Sequence, residues 1–177
     1  MIGRILRPIR SGAGRSPLNR SGLWAPDTIR LTSPSFADGT AMPIRHAGRG
    51  VGEDISPALQ WAEVPEPAVQ LLLLLDDIDV PLPFPLMHSV AVLDPARTGL
   101  AEGEFVDGTV RVVPTLLSKH GYAGPRPIPG HGPHRYRFHL LALDRTVGAD
   151  ATTVKTVLAA GDGHVLARGT LTGTFER

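Results

Sequence analysis

"LLLLLDDIDVPLPFPLMHSV", residues 71–90, runs five leucines directly into three carboxylates. An apolar run this short and unbroken predicts a strand buried on both faces, because a half-exposed strand would alternate apolar with polar positions. Such strands do not ordinarily end in charge, so Asp76, Asp77 and Asp79 mark a place where charge has a task. "MHSVAVL" (87–93) has the same two-faced apolar character and predicts a second central strand beside the first.

Working outward, "RYRFHLLALD" (135–144) alternates Tyr136, Phe138, Leu140 and Ala142 against Arg135, Arg137 and His139, which predicts a third strand. "HVLARGTLTGTF" (164–175) alternates through Val165, Ala167, Leu171 and Phe175. Between them "ADATTVKTVLAAGDG" (149–163) places Val154, Val157 and Leu158 at helical spacing, with Asp150 or Thr152 as N-cap and Gly161 as the stop. Upstream, "TIRLTSPSF" (28–36) reads as a strand closed by Asp38-Gly39, and residues 44–67 read as an ordered loop or a set of short strands. With 17 Pro, 20 Gly and no internal repeat, the chain is expected to be mostly β.

A chain of 177 residues supports one domain, which buries about 70% of its unfolded surface. A formal net charge of +1 argues against nucleic-acid or membrane-surface binding. The absence of cysteine excludes disulfides, thiolate metal sites and cysteine nucleophiles. No apolar run approaches the ~20 residues of a membrane span. Residues 1–22 carry five arginines and no apolar core of a secretory signal, so they are expected to form a flexible, dispensable leader before a domain spanning 23–177. The leader is expected to be cytoplasmic, and the whole chain's 16 Arg against two Lys, with abundant Ala, Gly and Pro, points to a GC-rich bacterium.

Charge is distributed unevenly. No acid occurs between Asp107 and Asp144, while Arg111, Lys119, Arg126, Arg135 and Arg137 fall there with four histidines. This is either a solvated basic face or an anion site. "GYAGPRPIPGHGPHRY" (121–136) supplies glycines that let backbone amides approach a ligand, and His134 and Tyr136 would add donors from one strand face. If the central strands are neighbours, Asp77, His88 and this loop converge at one sheet end.

The ordered pieces "ISPALQW", "DDIDVP" with His88, "GYAGPRPIPGHGPHRYRFHLLALD" and "TVKTVLAAGDGHVLARGTLTGTFER" resemble the phosphatidylethanolamine-binding protein family, in its bacterial Raf-kinase-inhibitor-like branch. The resemblance covers about residues 28–177. It implies a large antiparallel sheet packed on a smaller one, with short peripheral helices and an anion pocket at the sheet end. It assigns Asp77, His88, Gly124, Pro125, His134 and Tyr136 to that pocket. Three departures stand out: Ile78 replaces a motif proline, Arg126 stands where bacterial relatives often carry cysteine, and "PLPFPLMH" replaces a tryptophan-rich approach to the histidine.

Asp79 is expected to form an ion pair with Arg135 that holds two strand ends in register. His46, His131 and His139 are read as structural, and Trp61 as a core aromatic. The spacing of His88, His134 and the aspartates matches no metal motif, so no metal and no cofactor is expected. The expected function is non-catalytic binding of a phosphate- or carboxylate-like anion by His88, His134, Tyr136 and loop amides, with the histidines binding best in their positive form. A protein kinase is a partner implied by the resemblance alone, and a homodimer is compatible with the sequence. The rival is an enzyme in which Asp77, His88 and His134 move protons in an isomerisation, dehydration or cyclisation, with Phe84, Leu86 and Met87 widening the cavity. Covalent hydrolysis is disfavoured, since no Gly-x-Ser-x-Gly elbow occurs.

Overall fold

The computed structural model describes residues 2–177. In chain order its elements are helix α1 (Ile2–Leu6), strands β1 (Arg30–Thr32), β2 (Leu59–Ala62), β3 (Gln70–Asp77), β4 (Leu86–Leu93), β5 (Gly99–Leu100), β6 (Arg111–Val113) and β7 (His134–Leu143), helix α2 (Val154–Gly161) and strand β8 (Val165–Phe175). Five strands form one sheet in the order β6-β4-β3-β7-β8, and β1-β2-β5 form a smaller one. All pairings within both sheets are antiparallel. The mostly β, two-sheet architecture expected from the sequence is the one observed.

The five leucines lie on β3, the middle strand of the larger sheet, and all are fully buried. Side chains alternate along a strand, so the odd and even leucines enter different cores. Leu71, Leu73 and Leu75 pack with Phe138 and Leu140 of β7 and with Leu59 and Trp61 of the small sheet. Leu72 and Leu74 pack with Val90, Val92, Leu141 and Leu143, under Val157 and Leu158 of α2. Each buried leucine stabilises the fold by about 1.5–3 kcal/mol relative to exposure. The run is continuous because both faces of β3 are covered.

Helix α2 begins one residue later than the sequence suggests. Thr153 is its N-cap, accepting a hydrogen bond from the Thr156 amide while the Thr156 hydroxyl receives the Thr153 amide, so neither Asp150 nor Thr152 fills that role. Gly161 remains inside the helix, and the left-handed turn falls at Gly163, with φ of 77°.

The larger difference concerns residues 2–22, expected to stand free as a leader. They lie along the large sheet. Leu18 is buried in the core beneath α2, next to Leu23 at the start of the expected domain, and the Ser11 and Gly12 amides donate to the carbonyls of Val80 and Ile78. Local composition suggested disorder, but Leu18 and Leu23 cover the even-numbered leucines that would otherwise meet water.

Candidate ligand-binding site

Beyond Leu75 the strand changes from apolar to acidic, and a bulge between Leu75 and Asp76 shifts its register against β4. Asp76 faces Arg137 on β7 and Asp77 faces Tyr136, so consecutive acids enter opposite faces of the sheet. Each acid is buried and each has its own partners.

Asp76 is bound in two places by Arg137, with Nε to Oδ1 at 2.9 Å and Nη2 to Oδ2 at 2.6 Å, and Ser16 Oγ donates at 3.0 Å. His139 Nε2 lies 3.5 Å away. Burial alone would raise its pKa, but His139 and Arg137 outweigh burial and hold it at about 2. Asp79 accepts from Arg135 Nε, Nη2 and backbone amide, each at 2.8 Å, and from Arg10 Nη1 at 3.0 Å. Burial is again outweighed, here by Arg135 and Arg10, and Asp79 is held at about 2. The expected Asp79–Arg135 pair is present, and Arg10 joins it from the N-terminal segment.

Asp77 heads a different arrangement. Its Oδ1 accepts the Asp79 amide at 2.8 Å and its Oδ2 lies 2.7 Å from His134 Nδ1. His134 Nε2 lies 2.7 Å from His131 Nδ1, and His131 Nε2 lies 2.9 Å from the Leu6 carbonyl and 3.2 Å from that of Ile9. Three buried side chains thus form one line of hydrogen bonds from the sheet end to the N-terminal segment.

His88 donates through Nδ1 to the Ala123 carbonyl at 2.9 Å and sets its ring edge-on to Tyr136. Burial lowers its pKa, against the pull of Asp77, so the ring is neutral at ordinary pH. The expectation of a positive His88 is corrected: with hydrogen on Nδ1, a neutral ring offers Nε2 as an acceptor. Tyr136 is wholly buried, and its hydroxyl has no hydrogen-bond partner in good geometry among the described residues. Burial, then the Asp77 charge, raises its pKa, so it stays a phenol.

Asp77, His88, Gly124, His134 and Tyr136 all line one cavity of about 810 Å³. Pro125 does not line it: this residue is buried behind the loop, and its carbonyl receives the Gly48 amide at 2.9 Å. Nor is the Gly124 amide free for a ligand, because it donates to Asp54 Oδ1 at 2.7 Å. Gly124 is required for packing, since a Cβ there would collide with the His46 carbonyl. The expected cavity wall also changes. Leu86 lines it and Met87 points to the opposite core, as strand alternation from His88 requires, while Phe84 lies before the strand and is exposed. Val80, Leu82, Phe105 and Ile128 are among its apolar lining, and Arg49, Lys119 and Arg126 surround it as exposed cations.

Sequence reasoning missed three contributors. Asp54 lines the cavity in a left-handed conformation, φ 61°, uncommon for a residue with a side chain. Arg10 lay in a segment read as a leader. His131 is read as structural from the sequence, although its place beside His134 in the run Gly130-His131-Gly132-Pro133-His134 was an available signal. His46 does play the structural part expected, with Nδ1 2.8 Å from the Ile55 carbonyl, and Trp61 sits in the core with its Nε1 donating to Arg97. No group of three or more candidate metal ligands occurs among the described residues. No helix there is long and apolar enough to cross a membrane.

The chain matches the family model for phosphatidylethanolamine-binding protein over residues 32–176. A UPF0098 protein of Chlamydia trachomatis is 33% identical over 158 residues, covering 84% of this chain and 99% of the relative. A Mycobacterium tuberculosis protein named as the lipoprotein LppC is 32% identical over 157 residues, covering 86% of this chain and 74% of its own. Among solved structures, a phosphatidylethanolamine-binding protein homolog from Chlamydia trachomatis superposes with a TM-score of 0.76 at 31% identity, over 85% of this chain and 99% of the other. The sheet order, the acidic end of β3 and these matches together make the chain a member of the phosphatidylethanolamine-binding protein family.

Proposed function

We propose that the chain is a non-catalytic binding protein for an organic anion that still carries an acidic proton, a phosphomonoester in its monoanionic form being the type case. The observation that carries this reading is the pairing of two unpartnered groups in the cavity lining: an acceptor at His88 Nε2 and the buried Tyr136 hydroxyl. A P–OH would donate to His88 and a P–O⁻ would accept from Tyr136. The exposed Lys119 and Arg126 supply the opposite charge, Arg49 being paired with Asp54, and Leu82, Leu86, Phe105 and Ile128 suit an apolar organic part.

Binding is favoured over proton-transfer catalysis because His134 has both ring nitrogens occupied, one by Asp77 and one by His131. His88 keeps a free ring nitrogen in the buried part of the lining, while His120 stands at the exposed rim. Inhibition of a protein kinase is implied by the family branch alone.

Phenyl phosphate and phenyl sulfate form the test pair, since below about pH 6 both are monoanions and only the phosphate carries a proton. Calorimetric titration is expected to give the phosphate about tenfold or more tighter binding there, the worth of one hydrogen bond to a charged ligand. The preference should shrink as pH rises and the phosphate loses that proton. Tyr136→Phe should weaken both ligands. Equal affinity for the two esters, or a preference for phosphate that grows with pH, would refute the reading.

A further inference from the structure

Hydrogen-bond direction along the line from the N-terminal segment to Asp77 constrains how many protons that line holds. A backbone carbonyl can only accept, so His131 Nε2, facing Leu6 and Ile9, must carry hydrogen. The contact between His131 Nδ1 and His134 Nε2 needs one hydrogen, and so does that between His134 Nδ1 and Asp77 Oδ2. Three links need three hydrogens. Two neutral imidazoles and a carboxylate bring only two. The line therefore holds one extra proton, on an imidazole rather than on the carboxyl, since imidazole is the stronger base.

We propose that the N-terminal segment is a proton clamp for the pocket: the docked Leu6 and Ile9 carbonyls keep His131–His134–Asp77 at zero net charge. When the segment lifts, His131 Nε2 faces water and can be bare. His131 then donates from Nδ1 to His134, His134 donates to Asp77, and every link is satisfied with two hydrogens and a net charge of −1. The proton released goes to solvent. No oxidant or co-reactant is involved.

The segment is placed to do this. Arg10 clasps the His131 loop, with Nη1 donating to the Pro133 carbonyl at 2.8 Å and Nη2 to that of His131 at 3.3 Å, while also pairing with Asp79. Gly3 packs so closely on the same loop that a Cβ would collide with the Pro129 carbonyl oxygen. The family match begins only at residue 32, so the clamp lies outside the part of the chain shared with that model. Other charged or titratable groups face the pair from each side: Asp77 from β3, His88 from β4, Tyr136 from β7, and Arg7 and Arg10 over Gly132, while the Arg177 main-chain oxygen accepts the Gly130 amide. The arginines oppose an extra positive proton and Asp77 favours it. Its retention therefore depends on the two carbonyl acceptors. For an anionic ligand the consequence, which rests on the function proposed above, is that the docked segment removes a negative charge from the pocket wall.

The test needs no ligand, so its outcome is separable from that of the ester titration. The full chain, labelled with ¹⁵N at histidine, would be studied by long-range ¹H–¹⁵N correlation at about pH 7.5, one unit above the ordinary histidine range. Exposed His120 serves as the internal reference. Three ring-nitrogen protons are expected across His131 and His134. The count should fall to two in Gly3→Val and in Arg10→Ala, each of which loosens the segment from a different point. Two protons in the unaltered chain would overturn the proposal, as would three in both variants. Loss of the third proton in either variant, with the β-sheet amide spectrum retained, would support it.

Discussion

Leu71–Leu75 and Asp76–Asp79 are consecutive stretches of chain buried to nearly the same degree, and they are stabilised in opposite ways. The leucines contribute by leaving water, and any well-shaped apolar neighbour serves them. The acids lose hydration on burial and are tolerated only because each finds a specific partner. Even the partners differ among the acids. Asp76 and Asp79 are tied to arginines, while Asp77 is tied to a histidine and borders the cavity. The leucine half is thus tolerant of chemistry and sensitive to volume. The acid half is tolerant of neither.

The sharpest way to break this comparison is Asp76→Ala, which strands Arg137, a guanidinium with 14% of its side-chain surface exposed. It is expected to cost about 3–5 kcal/mol, measured by denaturant unfolding. The paired change Asp76→Leu with Arg137→Leu should recover most of that loss, because no charge remains to be solvated. Failure of the pair to recover stability would mean that Asp76 is retained for something other than its partner. Leu74→Ala, in the other half, should cost about 3 kcal/mol through lost transfer and a residual cavity. A loss below about 1 kcal/mol would show that the core under α2 collapses to fill the gap.

Acid titration of stability comes next in size. Asp76 and Asp79 are held at about 2 when folded, against an ordinary value of 3.8. A depressed folded pKa gives stability that is fully present above about pH 4 and lost as pH falls toward 2. Asp76 should contribute on the order of 2 kcal/mol over that window. Asp79 should contribute less, because its partner Arg135 is half exposed and screened by water. Unfolding midpoints that stay flat between about pH 4 and pH 2 would contradict both assignments.

The smallest effect is expected at the exposed pair of His164 and Asp144, 2.8 Å apart at the far end of the sheet from the cavity. His164→Ala should change stability by less than about 1 kcal/mol, since exposed ion pairs contribute little. A larger loss would mean that the link between β7 and β8 at that end is held more by the pair than by the strands.

Local pattern carried much of this protein. Five uninterrupted leucines require cover on both faces of a strand, the alternation through Tyr136, Phe138, Leu140 and Ala142 requires a strand with one core face, and the ordered motifs carry the family. These features follow from side-chain period and apolar area, which are properties of neighbouring residues. The Asp79–Arg135 pair was readable too, because both residues sit at the ends of strands already expected to be adjacent. Tertiary structure alone decided the rest. That Leu18 and Leu23 complete a core, that Arg10 reaches Asp79, and that His131 joins His134 to the Leu6 and Ile9 carbonyls all depend on contacts between residues far apart in sequence. The neutral state of His88 was likewise decided there, since burial is set by what packs over a residue and not by the residues beside it.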